Sequence, residues 1–350
     1  MHRTNRRLLA WDRPRQQAAL YWLILLLPLP LAIYALGLGR YAIPPQDVVR
    51  ALYDYLVTSR EAAFEPDVVY NVVTRIRLPR IAAALLIGGN LAVTGTAFQG
   101  IFRNPLVDSN ILGVTSGAGF GAALMLLLTG NPLHVQVAAF GFGLLAVLTA
   151  YTISRLYASA PLLVLTLVGI LVGSFFGSLT SLLKYIADPL DTLPAITYWL
   201  LGSLADVTRG DVPLLAVLSL AGMLFLWAVR WRLNVLSLGD SEALALGLNP
   251  TRLKLLIIVF STLMTAVAVS VSGVIGWVGL VIPHAARTLV GPDHRRLIPA
   301  TIMLGASFLL AIDTLARTLW SSEPPLGVFT GIVGVPLLLV ILRVNKTGWR

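Results

Sequence analysis

The charged residues of this chain lie in clusters, and long apolar stretches separate the clusters. No Asp, Glu, Lys or Arg occurs in eight stretches, which are 16–39, 81–102, 109–154, 156–183, 212–229, 255–286, 297–312 and 324–342. The hydrocarbon core of a bilayer is about 30 Å thick and takes roughly 20 apolar residues of helix to cross. Most of these stretches therefore predict membrane-spanning helices, and 109–154 is long enough to cross twice.

Glycine and proline indicate where the two longest stretches divide. Gly130, Asn131 and Pro132 form a turn signal near the middle of 109–154, which predicts two helices in that stretch. The stretch 255–286 is interrupted by three glycines and a proline between positions 273 and 283. This second stretch forms either one long helix or two shorter ones.

The distribution of Lys and Arg favours two helices in 255–286. With ten spans and both termini inside, 17 of the 26 Lys and Arg residues lie on the inner side of the membrane. With nine spans, fewer than half of them do. Inner loops carry an excess of Lys and Arg, so we predict ten spans. They lie near 19–37, 79–99, 111–129, 134–156, 162–183, 212–230, 253–272, 277–291, 298–319 and 334–343.

The predicted protein is all-α and polytopic, with one transmembrane domain over 19–343. The tails 1–18 and 344–350 lie on the cytoplasmic side. Long loops at 38–76 and 184–211 lie outside, and the first of them contains a short surface helix over 47–58, after a pair of prolines. The largest inner loop is 231–252.

Composition excludes several classes of function. Hydrophobic residues make up 57% of the 350 residues and the mean hydropathy is +0.83, which is far outside the range of soluble proteins. The net charge of +10 lies in short loops beside the spans, so it does not indicate nucleic-acid binding. Cysteine is absent, and no cluster of His, Asp and Glu has the spacing of a metal site.

The sequence also lacks a motif that would hydrolyse ATP. A P-loop needs a lysine directly after glycine, but Lys184, Lys254 and Lys346 all follow other residues. We therefore expect no catalytic residue and no cofactor on this chain, and ATP use on a separate subunit. Asp313 lies in a predicted span four residues before Arg317, so it either pairs with Arg317 or serves an ion-coupled carrier.

Two predicted spans carry glycine at every fourth position. The residues are Gly113, Gly117 and Gly121 in one span and Gly169, Gly173 and Gly177 in the other. Such ridges let helix backbones approach closely, which favours association in lipid. Small residues also leave room for a solute or form a seam between subunits, and both interpretations stay open.

Several short segments, taken together, resemble the permease subunits of FecCD-type ABC importers. They are RLPR at 77–80, QGIFRNPLVD at 99–108, ILGVTSGAG at 111–119, LGD at 238–240, ALGL at 245–248, GWVGLVIPH at 276–284, DHRR at 293–296 and PLGV at 325–328. The resemblance covers nearly the whole chain in the family's order. It implies the type II importer architecture and a cargo such as an iron-siderophore complex, haem or cobalamin.

The resemblance also implies an assembly in the cell inner membrane. Two permease subunits form a homodimer, two ATP-binding cassette ATPase subunits bind on the cytoplasmic side, and one solute-binding protein docks outside. The cargo passes along the dimer axis between the spans at 162–183 and 334–343, and a half-helix at 325–333 precedes the last span. We also expect contact with membrane lipid and no nucleic-acid partner.

The same resemblance assigns two groups of residues. ATPase coupling is expected in the loop 231–252, at Leu238, Gly239, Asp240, Ala243, Leu246, Gly247 and Leu248, with Ala243, Leu246 and Leu248 forming an apolar face for a groove on the partner. Arg77, Arg80 and Arg317 match arginines that receive acidic residues of the solute-binding protein. Pairing inside the chain, or with lipid headgroups, is the alternative for these arginines.

The sequence therefore predicts a permease that moves an iron complex of siderophore type by ATP-driven alternating access. Haem or cobalamin is the alternative cargo within the family, and an oxyanion is a weaker alternative. An ion-coupled secondary carrier is the alternative from another class. An intramembrane enzyme is disfavoured, because paired acid and base residues are missing from the sequence.

Overall fold

The computed structural model describes residues 14–57, 68–157, 161–319 and 322–344. In these ranges the chain forms fifteen α-helices and one π-helical segment, Val72–Arg77, and it contains no β-strand. The helices are α1 (Pro14–Leu26), α2 (Pro28–Gly37), α3 (Pro45–Val57), α4 (Val68–Asn71), α5 (Leu78–Phe102), α6 (Val114–Leu128), α7 (Pro132–Ser154), α8 (Pro161–Ile186), α9 (Thr192–Leu201), α10 (Val212–Leu238), α11 (Asp240–Ala245), α12 (Pro250–Ser272), α13 (Val278–Val290), α14 (His294–Leu319) and α15 (Leu326–Val344).

The helices confirm the all-α, polytopic fold. Eight segments are long and apolar enough to cross a membrane: α1 with α2, α4 with α5, and α7, α8, α10, α12, α14 and α15. The other two predicted spans correspond to α6 and α13, which are apolar but have only 15 and 13 residues. The first span bends at Leu27 because Pro28 has no backbone N–H to donate to the preceding turn.

The stretch 255–286 divides at Gly273. α12 ends at Ser272, and Gly273 adopts a φ of +65°, a left-handed conformation that residues with a Cβ disfavour. A Cβ at this position would also lie 2.2 Å from the carbonyl oxygen of Trp199. α13 is too short to cross the hydrocarbon by itself at 1.5 Å per residue. Irregular backbone such as residues 273–277 is tolerated within a membrane where protein surrounds it.

α5 is the central helix of the bundle. Almost all of its residues are buried, and it contacts α10, α12, α13 and α14. Gly88 lies against Gly305 of α14, and a Cβ on Gly88 would lie 2.3 Å from the carbonyl oxygen of Gly305. Gly95 lies against Gly279 of α13, and a Cβ on Gly95 would lie 1.9 Å from that carbonyl oxygen. These glycines let the helices pack at backbone distance, which stabilises association in lipid.

The structure corrects the predicted layout in three places. The half-helix expected at 325–333 is continuous with the last span, because α15 runs unbroken through Pro336. Residues 68–76, expected in the outer loop 38–76, form one helical segment with α5. The loop expected at 184–211 contains the ten-residue helix α9. Most of the two predicted tails, residues 1–13 and 345–350, lies outside the described ranges.

We predict that Gly95→Ala destabilises the protein strongly. The added methyl group would overlap the backbone of Gly279, and overpacking of this kind costs about 1–3 kcal/mol or more. Thermal unfolding of the purified chain in detergent measures the effect. Gly141→Ala is the matched control, since Gly141 lies on a helix with nothing within 4 Å of its Cβ position. Equal unfolding temperatures for the two variants would contradict the prediction.

Candidate functional site

The residues expected to be functional gather at the two ends of the bundle. We call the end at which α1 begins and α15 ends the terminal end, and α11 with the loops 103–113 and 291–293 lies there. The loops 38–44, 202–211 and 322–325 lie at the opposite end. The alternating direction of the spans produces this separation, so each end is built from residues far apart in sequence.

A cluster of charged side chains lies between α5 and α14, at the end of the bundle opposite to the terminal end. We call it the ion cluster, and its members are Arg80, Asp313, Arg317 and Glu323. Nε and Nη2 of Arg80 lie 2.9 Å and 2.7 Å from Oδ1 of Asp313. Nη2 also lies 2.8 Å from Oε2 of Glu323, which belongs to the loop before α15. Nε of Arg317 lies 3.8 Å from Oδ2 of Asp313, so the pairing expected within α14 is the longer of the two contacts. The buried carboxylate of Asp313 depends on these cations, since an unpaired charge there would be costly.

Arg77 and Arg317 bind the C-terminal end of α2. Nη1 of Arg77 donates to the carbonyl oxygen of Leu36 at 2.5 Å, and Nη2 of Arg77 donates to that of Tyr41. Nη2 of Arg317 donates to the carbonyl oxygen of Ala35 at 2.5 Å. The last carbonyl groups of a helix have no partner within the helix and carry partial negative charge. The two guanidinium groups therefore cap α2 and tie it to α5 and α14.

The side chains of the three arginines expected to dock a solute-binding protein are therefore buried inside the protein. Arg77, Arg80 and Arg317 are only 4%, 7% and 6% exposed. The intrachain pairing that the sequence left open is present for all three. Their docking role stays a prediction, and it requires a guanidinium group to become accessible from outside.

At the terminal end, the loop expected to couple to the ATPase folds into α11. Nζ of Lys254 lies 2.5 Å and 2.7 Å from the two carboxylate oxygens of Asp240, which fixes the start of α11 on the first turns of α12. Gly239 adopts a φ of +151° and Gly247 a φ of +77°, both in the region that glycine tolerates best. The two glycines therefore form the turns that begin and end α11.

Three exposed leucines form the apolar surface of this loop. Leu238, Leu244 and Leu246 are 66%, 61% and 59% exposed, and we call them the leucine surface. Ala243, expected on that surface, is fully buried. Leu248 also packs inward, because the chain folds back after α11 and its N–H donates to the carbonyl oxygen of Ala243 at 2.9 Å. Of the three residues expected on the apolar face, Leu246 is exposed, Leu248 is half-buried and Ala243 is buried. Contact of this loop with the ATPase stays a prediction.

A polar network joins α10 to the turn before α14. The amide nitrogen of Asn234 donates to Asp293 Oδ1 at 2.6 Å, and its amide oxygen accepts from the backbone N–H of His294 at 2.8 Å. The backbone N–H of Arg295 also donates to Asp293, and this bond lowers the pKa of that carboxyl. No sequence pattern points to Asn234, because an isolated asparagine belongs to no motif.

Five of the six glycines named from the sequence lie in helix contacts. A Cβ on Gly117 or Gly121 would lie 2.4 Å from a backbone carbonyl oxygen of α7. Gly113, Gly169 and Gly173 lie between the start of α6 and the middle of α8, with neighbouring atoms at 2.5 to 3.4 Å from their Cβ positions. These five residues serve close packing of α6, α7 and α8.

Gly177 differs from the other five glycines. Nothing lies within 4 Å of its Cβ position, so it lies on an open face of α8. Ser174, Ser178 and Ser181 are exposed on the same side of this helix. Their spacing of three and four residues places the hydroxyl groups in one row. The hydroxyl groups of Ser178 and Ser181 donate to the carbonyl oxygens of Ser174 and Gly177, both at 3.0 Å. Ile170 and Leu171 are exposed one turn before Ser174, so this face of α8 has mixed polarity.

Comparison with known proteins identifies the relatives of this chain. The model of the FecCD transport family matches residues 24–344. The molybdate import system permease protein MolB of Haemophilus influenzae is 39% identical, over 94% of this chain and 96% of that protein. The iron(3+)-hydroxamate import system permease protein FhuB of Bacillus subtilis is 33% identical, over 91% and 81%. A solved metal-chelate type ABC transporter in an inward-facing conformation is 36% identical, with a TM-score of 0.81, over 95% of this chain and all of that one.

We predict that Arg80→Gln destabilises the protein by about 3–5 kcal/mol, because it leaves the buried carboxylate of Asp313 without its nearest cation. Adding Asp313→Asn removes that charge and should restore part of the lost stability. Thermal unfolding in detergent measures both variants, with Arg252→Gln as the control at an exposed arginine. A double variant less stable than Arg80→Gln would contradict this account.

Proposed function

Because this chain belongs to the FecCD transport family, we propose that it carries an iron complex of siderophore type across the inner membrane. The chain is an ABC importer permease, and permeases of this family work with an ATPase and a substrate-binding protein. The proposed mechanism is alternating access between the two ends of the bundle, driven by ATP hydrolysis on the partner. The observation that carries the proposal is the family match over residues 24–344.

The proposed assembly is a homodimer with two ATPase subunits and one solute-binding protein. The terminal end faces the cytoplasm in this arrangement, which agrees with the exposed arginines near it, such as Arg232, Arg252 and Arg295. The leucine surface then faces the ATPase. A compact apolar patch on a short helix suits insertion into a hydrophobic groove of a partner.

The proposed passage runs between α8 and α15 of the two subunits. Ser174, Ser178 and Ser181 are exposed on α8. The hydroxyl groups of Ser178 and Ser181 donate to carbonyl oxygens of their own helix, and their oxygens can still accept a hydrogen bond from a solute. Hydroxyl groups can form hydrogen bonds to a passing solute without holding it by charge. Such a surface allows the cargo to leave on the cytoplasmic side, after the solute-binding protein has selected it.

Molybdate is the second candidate cargo. The molybdate permease MolB matches 94% of this chain at 39% identity, which is a longer match than that of the iron(3+)-hydroxamate permease at 91% and 33%. The row of serines on α8 carries no charge, so it suits a hydrated oxyanion as well as a ferric chelate. The two cargoes differ in size and charge, so a direct measurement separates them.

We predict that Leu244→Asp and Leu246→Asp each weaken co-purification of the ATPase subunit at least tenfold. Either change puts a charge on the leucine surface, where it would be buried unpaired in the partner's groove. Pull-down of the ATPase from detergent extracts measures the effect. Leu190→Asp is the control, since Leu190 is 91% exposed at the opposite end. Normal ATPase binding by both variants would remove the leucine surface from the interface.

We predict that liposomes containing the permease, its ATPase and its solute-binding protein take up a ferric hydroxamate when ATP is supplied. Molybdate, haem and cobalamin are tested in the same liposomes, and uptake of molybdate alone would favour the second candidate. The permease without its ATPase should hydrolyse no ATP and import nothing. Uptake by the permease alone, driven by a proton or sodium gradient, would contradict the importer and support a secondary carrier.

A further inference from the structure

Glu323 covers the guanidinium group of Arg80 from the outside. The side chains of Asp313 and Arg80 are 0% and 8% exposed, whereas that of Glu323 is 26% exposed. The carboxylate of Glu323 therefore lies between solvent and Arg80, with its Oε2 2.8 Å from Nη2. A carboxylate that approaches Arg80 from outside meets Glu323 first.

Glu323 also belongs to the segment that leads into α15. Three residues later, the N–H of Leu326 donates to the carbonyl oxygen of Gly202 at 2.8 Å. Gly327 lies so close to the backbone of Leu201 and Val274 that a Cβ would come within 2.6 Å of each carbonyl oxygen. The start of α15 is thus held at one junction with α9, the segment 273–277 and, through Glu323, with α5 and α14.

The two acidic partners of Arg80 differ in how easily their side chains can move away from it. Asp313 is fixed in the middle of a packed helix and is fully buried. Glu323 lies in a non-helical segment and reaches solvent. A third carboxylate at the same guanidinium group would be repelled by both, so an incoming carboxylate binds favourably only if Glu323 moves away.

We propose that Glu323 is a displaceable latch: an acidic side chain of the docking solute-binding protein takes its place on Arg80 and releases the segment that starts α15. The proposal rests on the proposed function, because it needs a docking partner with an exposed carboxylate. It explains how an arginine that is 7% exposed can receive a partner's carboxylate. In this proposal, docking of the solute-binding protein is linked to movement of α15, which lines the proposed passage.

Glu323→Gln tests the latch, because it removes the competing charge and keeps the size of the side chain. The binding-competent state is then more populated, and the affinity of the purified solute-binding protein should rise roughly three- to tenfold. ATP hydrolysis by the permease–ATPase complex without the solute-binding protein should rise as well. Surface plasmon resonance on permease in lipid nanodiscs measures the affinity.

Asp206→Asn is the matched control. Asp206 is exposed in the loop 202–211, so this change removes the same charge from the same end without altering the contacts of Arg80. Glu323→Asp keeps the carboxylate on a shorter side chain and should bind the solute-binding protein with intermediate affinity. This variant also tests the latch should Glu323→Gln fail to fold.

Two results would overturn the latch. One is unchanged or weaker binding of the solute-binding protein to the variants of Glu323. The other is an equal gain for Asp206→Asn, which would show that overall charge steers the partner. Failure of the wild-type permease to bind any solute-binding protein would instead overturn the proposed function and the latch with it.

Discussion

Helix α5 passes between α13 and α14 at backbone distance, and both functional ends of the bundle depend on that contact. Gly88 and Gly95 leave no room for a Cβ against their neighbours. Lipid provides no hydrophobic driving force between helices, so close van der Waals packing holds them together. The same helix holds Arg80 near one end, against Asp313, and Gln99 near the other end, where its amide oxygen accepts from Arg287.

The spans could be predicted because each one carries its own evidence in its own residues. A charge-free stretch of sufficient length, a break at Gly273 and the distribution of arginines are all local or additive features. Helix α9 was not predicted, because its ten residues are too few for a membrane span and their sequence resembles a loop. The continuity of α15 was not predicted either, because Pro336 usually marks a break and α15 nevertheless contains it.

The candidate functional residues at the two ends were only partly predictable, because their contacts depend on residues that are distant in sequence. The motifs placed Arg77, Arg80 and Arg317 at one end, but not the direction of their side chains. Arg317 contacts Ala35, which is 282 positions away. Glu323 and Asn234 are single polar residues whose importance comes only from distant partners. In α11 the side chain of Ala243 is buried, whereas that of the next residue, Leu244, is exposed.

The ion cluster also gives a reason for basic residues at the end that the predicted topology places outside, where the positive-inside rule disfavours them. Arg77 and Arg317 satisfy carbonyl groups at the end of α2, and Arg80 neutralises Asp313. Apolar side chains of similar volume often stabilise a protein interior as well as a buried ion pair does. Stability alone is therefore a weak reason for four charged residues at this junction. Charged partners can be exchanged one for another, whereas packed apolar side chains cannot, and the proposed displacement of Glu323 uses this property.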